Sequence, residues 1–91
     1  MAYCKADAFR LSEKKQVKLA KSKKVEERRR LAKRTDIKKR TAQILSKDPD
    51  AQVRYNLVRY TTYKEICKEL RTDPVKRVRN VAAARYRRAL N

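Results

Sequence analysis

The sequence predicts an all-α chain of stacked helix pairs, and three observations lead there. No glycine and only two prolines occur in 91 residues, so the φ > 0 positions that the tight turns of β-sandwiches and barrels depend on are missing. Both prolines follow an aspartate, as Asp48-Pro49 and Asp73-Pro74. That pair joins a capping acceptor to a residue whose fixed φ and missing N–H suit the first helical position. Finally, Leu45, Asp48, Pro49, Val53 and Arg54 recur 25 residues later as Leu70, Asp73, Pro74, Val78 and Arg79. A repeat at that period is the mark of a stacked architecture.

Helix-start signals place the elements in order. Ser12 opens a helix near 13–22, a second is expected near 25–34, and Asp36 ahead of Ile37 opens a third near 37–46. The first Asp-Pro pair starts a helix near 49–60, Thr62 with Glu65 forms a capping box for one near 63–71, and the second Asp-Pro pair starts one near 74–89. Connections this short make consecutive helices antiparallel neighbours. The last four helices each carry a narrow apolar stripe: Ile37, Thr41, Ile44 and Leu45; Val53, Leu57 and Tyr60; Ile66 and Leu70; Val78, Ala82 and Tyr86. Such pairs cannot bury their faces alone, so neighbours must stack. Ala82, Ala83 and Ala84 suit a close helix approach in the last pair.

A weaker copy lies upstream: Leu19, Ser22, Arg28, Leu31, Ala32 and Thr35 match Leu45, Asp48, Arg54, Leu57, Val58 and Thr61 at an offset of 26. Degeneracy at a terminal copy is normal, because its outer face meets water. The expected organisation is one domain over 1–91, with repeats at about 12–35, 36–61 and 62–88 and residues 1–11 as an N-terminal arm or cap.

The run L-x-x-D-P-x-x-x-V-R-x-x-[LA]-[VA] at this period resembles the variant leucine-rich repeat and, more broadly, short HEAT-like α-repeats, strongly over 42–85 and weakly from residue 12. The resemblance implies a small right-handed α-solenoid of about three helix pairs. It also implies an inter-repeat ladder between an Asp at the start of the second helix and an Arg six residues on. That spacing holds for Asp48 with Arg54 and Asp73 with Arg79, and fails in the first copy, where Ser22 precedes Arg28. The cysteine cluster of some variant leucine-rich repeat proteins is absent, and none is carried over. Such folds host scaffolds, nucleic-acid binders and a few DNA glycosylases, so the resemblance alone implies no function.

Composition narrows the function. The absence of His removes the commonest general base and metal ligand, and Cys4 and Cys67 alone cannot complete a four-ligand zinc or iron–sulfur site. No catalytic constellation, metal or cofactor is therefore expected, and no apolar run is long enough to span a membrane. With no secretory leader ahead of Cys4, both thiols are expected to be free, in a cytoplasmic or nucleoid-associated protein.

The charge is the informative feature. The 28 Lys and Arg outnumber the 10 Asp and Glu, for a net charge of +18, well beyond the roughly 2–8 that solubility asks of a small domain. Residues 1–40 hold 16 cations and 5 acids, residues 41–91 hold 12 and 5. A polyanion partner accounts for such an excess. Candidate nucleic-acid-binding residues are Arg29, Arg30, Lys33 and Arg34; Lys38, Lys39 and Arg40, where cations oppose a helix N-terminus; Tyr55 and Arg59; and Arg85 and Arg88. Equivalent repeat positions align Arg29 with Tyr55 and Asn80, Lys33 with Arg59 and Ala84, and Arg34 with Tyr60 and Arg85. Tyr55 beside Arg59 offers a ring for base stacking or a hydroxyl for phosphate. Arg54 and Arg79 are assigned to the ladder, Tyr60, Tyr63 and Tyr86 to packing, and Arg85, Arg87 and Arg88 equally suit a dipole-complementing helix end. The expected function is non-enzymatic nucleic-acid binding, DNA or RNA, through the phosphate backbone. The alternative is a small inhibitor or adaptor that docks its basic surface on an acidic protein partner.

Overall fold

The computed structural model describes residues 11–90, and these form helices with no strand among them: α1 Glu13–Ala20, α2 Val25–Ala32, α3 Lys39–Ser46, α4 Ala51–Tyr60, α5 Lys64–Leu70 and α6 Lys76–Leu90. The chain is all-α over the described residues. Most of the expected N-terminal arm or cap, together with Cys4, lies outside them.

Four helix starts fall later than the sequence signals place them, three by two residues and that of α5 by one. At Asp48-Pro49 the Asp48 carboxylate accepts the Asp50 N–H at 2.8 Å, which makes a turn of its own. The helix begins two residues on, capped by Asp50, whose carboxylate accepts the Val53 N–H at 3.0 Å. Asp73 repeats the turn onto Val75 N–H at 2.9 Å, and α6 starts at Lys76. Before α3, Asp36 turns back to Arg34, and the N-cap position is Lys38, which has no side-chain cap. The capping box is also absent: Tyr63 is the N-cap of α5 and has no capping side chain, while Glu65 faces α3, 4.0 Å from Lys39 Nζ. Ser12 does cap α1, accepting Lys15 N–H at 3.2 Å.

The helices stand in two layers. Helices α1, α3 and α5 pack side by side in one, α2, α4 and α6 in the other, and the pairs α1–α2, α3–α4 and α5–α6 join the layers. The extents of 41 × 33 × 18 Å make the molecule a slab, its short dimension set by two helices at the usual spacing of about 8–10 Å. Between the layers lies one continuous core, with Leu31, Leu45, Val53, Leu57, Val58, Ile66, Leu70 and Val78 at its centre. The apolar stripes read from the sequence supply most of it. Ile44 and Tyr86 only flank it, and Tyr60 is 38 % exposed, so that ring is a surface group. In the alanine run only Ala82 is fully buried, with Ala84 exposed.

Side chains that cap or bridge backbone groups tie neighbours within each layer. Buried Gln16 on α1 accepts Lys38 N–H at 2.8 Å and the Thr41 hydroxyl at 3.1 Å, and donates to Leu11 O at 3.0 Å. Tyr63 Oη donates to Ile37 O at 3.1 Å. In the other layer Asn56 Nδ2 donates to Arg29 O at 3.1 Å and Arg85 Nη1 to Val58 O at 2.8 Å. No buried side-chain polar atom among the described residues lacks a partner, as a core this thin requires.

Candidate nucleic-acid interface

Arg28 and Arg54 tie each helix pair to the next, whereas other arginines face the surface. Arg54 Nε donates to Asp73 Oδ2 at 2.7 Å while its Nη1 donates to the Asp48 carbonyl at 2.6 Å. Arg28 repeats this, Nε to Asp48 Oδ2 at 2.7 Å and Nη1 to the Ser22 carbonyl at 2.6 Å. Arg79 Nη1 donates to the Asp73 carbonyl at 3.1 Å. In all three the carbonyl belongs to the residue six positions earlier, and in the first two the carboxylate comes from the next helix pair. Arg28 thus takes part although Ser22 stands where an Asp would be: the six-residue contact is to a backbone carbonyl, which any residue supplies. The Ser22 hydroxyl instead donates to Glu27 Oε1.

Helices α2, α4 and α6 present the candidate face, with two surface grooves between them. The groove between α2 and α4 is lined by Glu26, Arg29, Arg30, Lys33, Gln52 and Asn56. Arg29 there makes a bidentate pair with Asp50, Nε to Oδ2 at 2.9 Å and Nη2 to Oδ1 at 3.0 Å. Hydrogen bonding to Arg29 holds the Asp50 carboxyl below its ordinary value, and the same bond raises the Arg29 guanidinium. Arg34 is likewise paired, with Asp36, at 2.8 and 2.9 Å.

The groove between α4 and α6 is lined by Tyr55, Arg59, Val81, Arg85 and Arg88. Neither helix contains an Asp or Glu. The Arg59 guanidinium sits over the Tyr55 ring at 5.6 Å and near Tyr60 at 5.7 Å, and Arg77 covers Tyr55 at 4.8 Å, all within cation–π range. Arg77 is fixed in turn by Gln52 Oε1 at 2.9 Å. Arg85 is half-buried and anchored on Val58 O, while Arg59 and Arg88 are exposed.

The structure brings together Arg29, Arg30, Lys33, Tyr55, Arg59, Arg85 and Arg88 along this layer. Lys38, Lys39 and Arg40 belong to α3 and its cap in the other layer: Arg40 lies with Glu13, Lys14 and Val17 of α1, and Lys39 approaches Glu65. Sequence reasoning missed Arg77 and Gln52 as the pair that braces Tyr55. Their separation of 25 residues is the repeat period itself, so the signal was present.

Among the described residues no group of His, Cys, Asp or Glu is placed to hold a metal ion, and no helix is long and apolar enough to cross a membrane. Comparison with protein-family models, with curated proteins and with solved structures gives no match.

Proposed function

We propose that this chain is a non-enzymatic nucleic-acid-binding protein that grips the phosphate backbone with the face built from α2, α4 and α6. In this reading the three helix pairs are successive repeats of a small right-handed HEAT-like solenoid, and the Arg–Asp contacts of Arg28, Arg54 and Arg79 are its ladder. The observation that carries the proposal is the α4–α6 groove, where Arg59, Arg85 and Arg88 converge on two helices that contain no carboxylate. Guanidinium groups are planar forks suited to phosphate oxygens, and convergent cations with no local counter-charge raise the potential that draws a polyanion in. A net charge of +18 supplies the long-range attraction.

The test is fluorescence anisotropy of nuclease-free protein against labelled duplex DNA, single-stranded DNA and structured RNA, each at several salt concentrations. Log affinity is expected to fall linearly with log salt, with a slope that corresponds to about five or more neutralised phosphates. Binding that disappears near physiological salt, with no preference among the three ligands, overturns the proposal. Nuclease-resistant capture of an acidic protein would then turn the search to the adaptor reading.

A further inference from the structure

Resting on the nucleic-acid reading above, we propose that the anion site proper is the α4–α6 groove alone, and that it takes backbone phosphates without stacking on bases. The two grooves share one face and contain similar numbers of cations, but their counter-charges differ. In the α2–α4 groove Glu26 lines the wall and Asp50 occupies the guanidinium fork of Arg29. A phosphate arriving there meets one carboxylate that repels it and another that already holds the best-oriented donors. The α4–α6 groove has no carboxylate in its lining or on either of its helices.

Two of the three cations of the second groove, Arg85 and Arg59, are also held in place before any ligand arrives. Arg85 uses one N–H on Val58 O at 2.8 Å, and a guanidinium has five to give. Arg59 rests over Tyr55 and Tyr60. Arg88 stands one turn after Arg85 on α6, on the same side of the helix. Fixed donors lose less conformational entropy on binding than free side chains do.

The Tyr55 ring serves this arrangement and is closed to a base. It is half-buried against the core and lies under both Arg59 and Arg77, and Arg77 is tied to Gln52. A base could stack only by displacing a guanidinium that the ring itself positions. The ring therefore orients phosphate donors, and the stacking role that its neighbour Arg59 suggests in the sequence does not follow.

Two double variants that remove equal charge separate the grooves: Arg59→Ala with Arg88→Ala, and Arg30→Ala with Lys33→Ala. Circular dichroism confirms that each is folded, and Arg59→Lys with Arg88→Lys retains charge as a control. Each protein is titrated with the same duplex, with a single strand, and with an abasic strand of equal length. The first variant is expected to lose about tenfold or more in affinity at moderate salt and to lower the salt slope by about 2. The second is expected to lose less than about threefold, and the abasic and normal strands to bind within about twofold of each other. Equal losses from the two variants, or a tenfold weaker abasic strand, overturn this inference and leave the nucleic-acid reading standing. A wild-type protein that binds none of the probes overturns both.

Discussion

Arg54 Nε lies 2.7 Å from Asp73 Oδ2, and both side chains are nearly buried, at 12 % and 3 % exposure. The other end of the guanidinium holds the Asp48 carbonyl, so one side chain spans the start of α4 and the turn before α6. Arg28 spans the preceding pair in the same way. The charges sit where water cannot replace a lost partner, so removing one is far more damaging than its surface counterpart. Arg54→Met is expected to destabilise the fold by about 3 kcal/mol, because it strands the Asp73 carboxylate. Urea unfolding checks this: the midpoint should fall with the slope unchanged. A shift under about 0.5 kcal/mol would mean that water reaches Asp73.

The Arg29–Asp50 pair is half-buried, more open to water than Arg54 and Asp73, and predicts pH dependence instead. The Asp50 carboxyl is held below its ordinary value by the Arg29 hydrogen bond and by the Val53 N–H that it caps. A folded-state value below the unfolded one contributes stability that is fully present above the unfolded value and is lost as pH falls through the folded one. The urea midpoint is therefore expected to drop as pH falls below the ordinary carboxylate value of about 4, and Asp50→Asn should flatten part of that drop. Neutral-pH stability should fall by less than about 1 kcal/mol, because Asn is also a good cap. An unchanged acid profile in the variant would assign the acid sensitivity to other carboxylates.

The helices and most of the core were legible because they rest on local patterns. The stripes of Val53 with Leu57 and Ile66 with Leu70 follow from helical spacing alone, and the Asp-Pro repeat located two helix starts to within two residues. What the sequence hid is the choice each polar group makes among partners. Asp36 and Glu65 both sit at good capping positions, yet one closes on Arg34 two residues back and the other turns toward Lys39 on α3, and the second choice depends on how helices from different pairs meet. The candidate face shows the same limit. A count of cations made Arg29 and Arg59 equivalent, and only the fold puts Asp50 against the first and leaves the second over an aromatic ring.

Cys67 lies buried on α5, and burial pushes its thiol up, only partly opposed by the Arg85 charge. A thiol held protonated and covered is a poor nucleophile. In a Cys4→Ser background, modification by a disulfide reagent at pH 8 is expected to be at least about a hundredfold slower in the native protein than in urea, since it must wait for opening of the fold. Native labelling at the unfolded rate would show that α5 detaches easily from the core.

Gln16 tests whether the first helix pair is held by specific polar contacts or by apolar packing alone. Its side chain is 1 % exposed and meets three groups: Lys38 N–H, the Thr41 hydroxyl and the Leu11 carbonyl. Leu fills much of the same volume and can meet none of them. Gln16→Leu should therefore leave the Lys38 N–H and the Thr41 hydroxyl without partners and cost about 3 kcal/mol, more than the added apolar surface returns. Adding Thr41→Val removes one orphaned group while the Lys38 N–H remains. The double variant should recover about 1 kcal/mol of the loss, and a double-mutant cycle on urea midpoints reads that coupling directly. Strict additivity would mean that α1 adjusts to let water reach α3, and that its docking rests on Ala20 and the α2 contacts.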